Sequence, residues 1–314
     1  MKLESEEFLT FSIHCLGITA VPVHLLGTFC ILFHTPETMK SCKWAMFYLH
    51  FWSVVWDIYL SVLYVPFIIF PFSAGYTLGF LSPNFLNFSQ QCYIAVSLLG
   101  LIGCANVIFF KNRYNCICYS QEIRYESNLK IIIFFVFNHI IPIIYFSPTL
   151  LVPLDENEAK LYILEKVPTL PRDILDNPNF RVQCLNGPVM MLCIIIIVSE
   201  LCSQILHMVW KIYCELFSNI SKSKKTLNAQ RLFFLTVCLQ TSLPFFGILL
   251  PVLYMFFSYS SYFYNQGYNN LTIISLTFYG QLSTLTMIII HKPYRNVISK
   301  FFRSYKKESA DFID

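Results

Sequence analysis

Between Leu232 and His291 the chain carries no Asp, Glu, Lys or Arg, and between Trp44 and Phe110 Asp57 is its sole charged residue. A helix needs about 20 mostly apolar residues to cross a hydrocarbon core of ~30 Å. Each run therefore has room for two crossings. Composition agrees, with 56% hydrophobic and 13% charged residues, where soluble domains are about a quarter charged. A soluble core of this size could not hide so much apolar surface, so part of the solvent must be lipid.

Breaking the runs at polar clusters and Pro/Gly turns gives seven spans, at 9–33, 45–71, 91–112, 131–151, 188–212, 232–257 and 271–291. The cluster at 72–90 divides the second from the third, and the cluster at 258–270 divides the sixth from the seventh. The segment from Leu154 to Pro188 holds Pro168, Pro171 and Pro178 and reads as a long irregular loop. Residues 1–8 form a short outer terminus, 9–291 the membrane domain and 292–314 a hydrophilic tail. Residues 1–7 are acidic and the apolar stretch after them is too long for a signal h-region, so the first span is expected to stay as an anchor. The fold class is an all-α seven-transmembrane helix bundle in a lipid bilayer.

Seven crossings put the termini on opposite sides. One side holds only Lys2, Lys160, Lys166, Arg172 and Arg181 of the 22 Lys and Arg residues. The remaining seventeen lie in the loops at 34–43, 111–130 and 211–231 and in the tail. The positive-inside rule makes that side cytoplasmic, with the amino terminus outside and the carboxyl terminus inside.

Polar groups inside the spans carry the next information. Asp57 lies near the middle of span two and Glu200 near the middle of span five. An ionised carboxylate there costs at least a few kcal/mol unless it faces the bundle interior and finds a partner. Asp57 reads equally as a switch or ligand contact and as a hydrogen-bonded packing group, with Asn106, Ser283 and His50 as candidate partners. Glu200 reads as packing. His14, His24 and His34 recur every ten residues and nearly share a helix face, a pattern that also reads as packing. Of the prolines within spans, Pro244 is the best-placed pivot in span six.

Of the 12 Cys, most sit within spans as small apolar groups. Cys92 and Cys184 both face the oxidising outer side. A bridge between them would pin the long outer loop over the bundle, and two separate thiols are the alternative, because geometry decides. Among the sequons, Asn87 is external and open to glycosylation, Asn219 is cytoplasmic, and Asn270 is external but close to the membrane. There is no phosphate loop, no HExxH, no zinc spacing and no catalytic constellation. The chain reads as a non-enzyme with no cofactor, no metal and no nucleic-acid partner.

The run from Thr35 to Pro71 resembles the second-span signature of nematode serpentine chemoreceptors of class H, in Thr35, Pro36, Met39, Lys40, His50, Phe51, Trp52, Asp57, Pro66 and Pro71. AGYTLGFL (74–81) resembles that family's first outer loop and NRYN (112–115) the inner end of its third span. Gln240, Pro244 and Pro251 fit its sixth span, and HKPYR (291–295) the end of its seventh. The resemblance implies a multi-pass receptor of the plasma membrane, expected in sensory cilia, that detects an odorant or pheromone and activates a heterotrimeric G protein. A receptor dimer is compatible with it. Asn112, Arg113 and Tyr114, with Lys224 and Lys225 of the basic third loop, are then the expected G-protein contacts. Asp57 and Pro244 are the expected switch residues. Tyr93, Ser97, Phe245 and Tyr279 have the depth expected of a ligand pocket. The family usually has an acid just before Asn-Arg-Tyr, and Lys111 stands there instead. Glu215 is the replacement partner expected for Arg113, with raised basal activity. The alternatives are a seven-transmembrane ligand-gated channel subunit, whose orientation would be opposite, and a small transporter, whose internal repeats the sequence lacks.

The orientation has a direct check. An epitope tag at the amino terminus should be stained on intact cells, and one at the carboxyl terminus only after permeabilisation. The reverse pattern would refute the charge count and favour the channel reading.

Overall fold

The structure is a computed structural model that describes residues 2–81, 85–118, 128–145, 147, 155–184, 187–218 and 224–300. The side chains of residues 38, 128, 184, 187–191 and 218 are left aside. Helix α1 (Glu6–His34) starts where the Ser5 hydroxyl accepts from the Phe8 N–H and where Glu6 and Glu7 face the positive end of the helix dipole. It stops before Thr35-Pro36, since a residue ahead of proline disfavours helix. A 3₁₀ turn (Glu37–Cys42) leads into α2 (Lys43–Ile58), which widens into a π-helical turn over Tyr59–Tyr64.

Span two was expected to remain helical to residue 71. It ends at Tyr64 instead, because Val65 precedes a proline and takes the left-handed conformation (φ 40°, ψ 70°). Strand β1 (Pro66–Ile69) then turns back antiparallel to β2 (Ser73–Thr77). Helix α3 (Phe88–Cys118) opens on a reciprocal cap. The Gln90 N–H donates to the Asn87 side chain, and the Asn87 N–H donates to the Gln90 side chain. Helix α4 (Asn128–Tyr145) is the described part of span four, and Pro148 and the rest of that span lie outside the described residues.

The segment expected to be irregular has structure. It contains α5 (Glu156–Lys166), α6 (Arg172–Leu175) and β3 (Arg181–Cys184). Asp155 caps α5 through the N–H groups of Asn157 and Glu158, and Ala159 and Ile163, one turn apart, are its buried residues. Strand β3 pairs with β2, so β2 is the centre of a three-stranded antiparallel sheet. Helices α7 (Gly187–Ser218), α8 (Lys224–Ser261), α9 (Gln266–Thr277) and α10 (Tyr279–Ile290) follow, and residues 292–300 continue as helix.

Among the described residues, five helices are long and apolar enough to cross a membrane. The pair α9–α10, bent by 42° at Phe278, makes one further broken span. Helix α4 is apolar but shorter over its described length. Helix α3 lies at the centre, against α2, α4 and α7, while α10 packs against α1, α2 and α8. The sheet and α5 form a cap over the end of the bundle that the charge count reads as outer. Phe67, Phe72 and Tyr76 of the hairpin bury against Leu9 and Ile13 of α1, Ile163 of α5 and Ile273 of α9. The Tyr76 hydroxyl donates to Glu6, and burial together with this bond raises the phenol above its usual pKa range.

The hairpin depends on Gly75, whose φ is +152° and where an added Cβ would stand 2.0 Å from the Phe67 carbonyl oxygen. Gly75→Val should cost on the order of 2 kcal/mol or more. It should lower the thermal midpoint in detergent and the surface yield. An unchanged midpoint would show that the hairpin does not stabilise the bundle.

Candidate functional site

Span seven breaks at Phe278, and the break leaves the first N–H groups of α10 without partners in their own helix. Asp57 of α2 supplies the acceptor. The Gly280 N–H donates to its Oδ1 at 3.0 Å, and the Gln281 N–H also bonds to this carboxylate. The carboxylate thus caps a helix across the bundle, at the positive end of that helix's dipole. Glycine is required at 280, because a Cβ there would lie 2.2 Å from Asp57 Oδ1 and 2.5 Å from the Ser53 carbonyl oxygen. On the other side His24 Nε2 stands 2.9 Å from Asp57 Oδ2.

Counting donors and acceptors orients the bonds around Thr284. His50 Nε2 lies 3.3 Å from the His24 carbonyl oxygen, a pure acceptor, and 3.0 Å from Thr28 Oγ1, so it carries a hydrogen. His50 Nδ1 is then an acceptor, and the Thr284 hydroxyl, at 3.2 Å, donates to it. The same hydroxyl oxygen lies 3.1 Å from His24 Nδ1 and has no second proton, so His24 Nδ1 donates. A further proton is shared between His24 Nε2 and Asp57 Oδ2, and the two residues are 7% and 2% exposed. Ionisable groups at this depth in a bilayer persist only when partnered and hydrogen-bonded in this way. The group joins α1, α2 and α10.

Above the break lies a cavity of ≈ 270 Å³ between α2, α3, α7, α8, α9 and α10, with β1 at its outer end. Trp56, Leu276 and Tyr279 line it beside the break, and the Trp56 indole N–H donates to the Leu276 carbonyl at 2.9 Å. Its lining is predominantly aliphatic and aromatic. The wall made by α7 and α8 is the exposed one, with Val198 39% and Phe245 41% accessible, while Trp56, Leu60 and Ile102 opposite are buried.

At the inner end the Arg113 guanidinium of α3 is buried. It donates to the Cys42 sulfur at 2.9 Å and lies 4.2 Å from the Phe233 ring centroid of α8. Phe233 faces His291, whose Nε2 donates to Gln240 Oε1 at 2.8 Å. The Tyr294 hydroxyl donates to Thr35 Oγ1 at 2.8 Å, since the Thr35 proton goes to the Ile31 carbonyl. Arg113 is not paired with Glu215, which corrects that expectation. A thiol and an aromatic face hold it instead, and among the described residues no carboxylate does. Lys111 lies over the Tyr114 and Phe134 rings.

The expected residues are placed as follows. Phe245 and Tyr279 line the cavity, whereas the Tyr93 hydroxyl donates to the Ile143 carbonyl toward α4, and Ser97 is buried away from the lining. Pro244 is buried within the continuous helix α8. Asn112 and Tyr114 flank Arg113 on α3, and Lys224 and Lys225 are exposed at the start of α8. Cys92 is a buried thiol in the cavity wall, and the Cys184 side chain falls outside the described residues, as do Asn219 and the tail beyond residue 300. Asn87 is exposed and caps α3 through Oδ1, which leaves its Nδ2 open to a glycan. Asn270 is buried and donates to the Leu3 and Ser5 carbonyls. Glu200 accepts from Gln204, which also donates to Asn138.

His24, hydrogen-bonded to Asp57 and Thr284, is the candidate residue whose spacing had read as packing. Its ten-residue spacing from His14 and His34 was visible, but His14 bonds only the Ser61 carbonyl and His34 packs on Phe29. The usable signal was depth, since His24 and Asp57 each lie near the middle of their spans.

Residues 4–304 match the model of the family described as serpentine type 7TM GPCR chemoreceptor Srh. The chain is 24% identical over 318 aligned positions to serpentine receptor class H-72 of Caenorhabditis elegans, covering 97% of this chain and 88% of that one.

Removing one partner of the pair should leave the other buried and unsatisfied. Asp57→Ala is expected to destabilise the bundle by about 3 kcal/mol. His24→Ala on top should add little, giving a coupling of 1 kcal/mol or more in a double-mutant cycle of thermal unfolding in detergent. Simple additivity would refute the pairing.

Proposed function

Because the chain belongs to the Srh family of seven-transmembrane serpentine chemoreceptors, we propose that a neutral, weakly polar molecule held in the cavity shifts span seven and so controls a heterotrimeric G protein. One observation carries the reading. The residues beside the break, Trp56, Leu276 and Tyr279, also line the cavity. A ligand there bears directly on the contacts that hold the bent helix. It shifts the equilibrium between two packings only by its difference in affinity for them.

The ligand class follows from the walls. The lining has no charged side chain and the exposed wall faces hydrocarbon, so a lipid-soluble molecule fits and an ion does not. Displacement of α10 reaches the inner side through His291, Gln240 and Phe233 to Arg113. Release of Arg113 from Phe233 would uncouple α8 from α3 and expose Asn112, Arg113 and Tyr114, with Lys224 and Lys225 beside them, to the G protein. Pro244 is the hinge for the inner half of α8. The orientation argued from basic residues puts this face in the cytoplasm. The plasma membrane of a sensory cilium is the expected location.

The test is an odorant screen on cells expressing the chain, read by calcium or cyclic nucleotide. A ligand response should appear and vanish on deletion of G-protein α subunits. A response that survives the deletion would overturn the reading. Phe233→Ala, which removes the face under Arg113, should raise ligand-free signalling severalfold if that contact restrains the resting state. Unchanged basal signalling at equal surface level would remove Arg113–Phe233 from the mechanism.

A further inference from the structure

The cavity reaches the side of the bundle along the seam between α7 and α8. Val198 and Cys202 of α7 line it there, facing Phe245 and Leu249 of α8. Val198 and Phe245 are exposed, and Cys202 and Leu249 are half-buried. Among the described residues, none of the four joins a buried hydrophobic cluster. The seam is therefore loosely packed where it borders the cavity.

The same seam is closed on both sides of this stretch. Toward the inner end, Ile212 and Leu216 of α7 pack with Leu227 and Phe234 of α8, and Val209 and Cys238 join them. Arg231 Nε of α8 donates to the Leu216 carbonyl at 3.0 Å. Toward the outer end, Ile194 of α7 and Val252 and Met255 of α8 pack against Phe70 and Tyr259. The Tyr259 and Ser73 hydroxyls are hydrogen-bonded at 2.6 Å, and Gln266 Nε2 of α9 donates to the Ile68 carbonyl at 3.3 Å. The hairpin, α8 and α9 are thereby tied together across the outer end of the cavity. The loose stretch lies between Cys238 and Val252, a rise of ~21 Å along α8. It fits within a hydrocarbon layer of ~30 Å, and its rim is hydrocarbon and one thiol. An apolar solute crosses such a rim without leaving an apolar medium, whereas an approach from water must part the bonded outer end.

We propose that the α7–α8 seam is a side portal, bounded by Val198, Cys202, Phe245 and Leu249, through which neutral ligands dissolved in the bilayer enter the cavity. This rests on the receptor reading for its purpose but not for its test. The portal selects for compounds that concentrate in membranes, because arrival depends on the ligand's concentration in lipid. Each added methylene raises transfer into hydrocarbon about fourfold. Charged or strongly hydrated molecules stay in water and are excluded by the route before the cavity walls meet them.

The test uses the full chain in lipid nanodiscs and three heavy-atom quenchers, 1-bromobutane, 1-bromopentane and 1-bromohexane, added by rapid mixing. Trp56 is buried in the cavity wall, so its quenching reports entry. It is read as the difference from Trp56→Phe, in which the signals of Trp44, Trp52 and Trp210 cancel. The entry rate per aqueous concentration should rise about fourfold with each methylene. Phe245→Ala, which widens the seam, should speed entry severalfold, and Val198→Phe, which fills it, should slow entry severalfold. Opposite shifts from two seam variants cannot come from misfolding. Gln266→Leu, which frees a tie at the outer end, should leave the rate as it was. The proposal is overturned if Trp56 is not quenched, if the rate is flat across the series, if the seam variants do not change it, or if Gln266→Leu speeds it. A flat rate with an intact G-protein response to an odorant would sink the portal alone. Entry through the seam with no G-protein response to any odorant would sink the receptor reading alone.

Discussion

A carboxylate buried in the hydrocarbon region organises this bundle. Asp57 accepts from the freed N–H groups of a broken span seven on one side and is hydrogen-bonded to His24 on the other. Each partner needs the others. Without the carboxylate, the N-terminal donors of α10 would lie unsatisfied in a medium with no water. Without His24, the second oxygen of the Asp57 carboxyl would lose its hydrogen-bond partner in lipid. Without glycine at 280, the two helices could not approach closely enough to bond. The group sits at the 42° bend of span seven.

The same arrangement links the two ends of the molecule. Trp56 and Tyr279, next to the two members of the capped break, line the cavity. One helix further in, α10 ends at His291, which contacts Gln240 and Phe233, and Phe233 lies under Arg113. The HKPYR sequence acquires a physical meaning here. Its His and Tyr tie the end of span seven to α8 and to the residue that terminates α1. The Thr-Pro and Cys that precede α2 matter for the same reason, since Thr35 receives Tyr294 and Cys42 receives Arg113.

The outer cap was hidden from pattern reading for a definable reason. Its β1 is the apolar continuation of span two, and hydropathy cannot tell an apolar strand from the last turns of an apolar helix. Proline at 66 was the available sign, and it acted one residue earlier, at Val65. Helix α5 was hidden because it buries only Ala159 and Ile163 against the hairpin, too narrow a stripe to show as periodicity. The break at Phe278 was also silent, since no proline marks it. Gly280 records the close approach of Asp57, and a glycine alone does not say what approaches it.

Sequence by itself determined the membrane class, seven crossings, Asp57 as the group needing explanation, and the family to which these motifs belong. These follow from run length and residue type, which are local properties of a chain dissolved in lipid. Tertiary structure decided which partners the polar groups take. Asp57 pairs with His24 and a helix end, not with Asn106, Ser283 or His50 directly, and Arg113 pairs with a thiol and a ring, not with Glu215. Such choices depend on depth and rotation of one helix against another. Neither is set by the spacing of residues within a span, because inside a bilayer every apolar face is acceptable to lipid and only contacts between helices select one rotation over the rest.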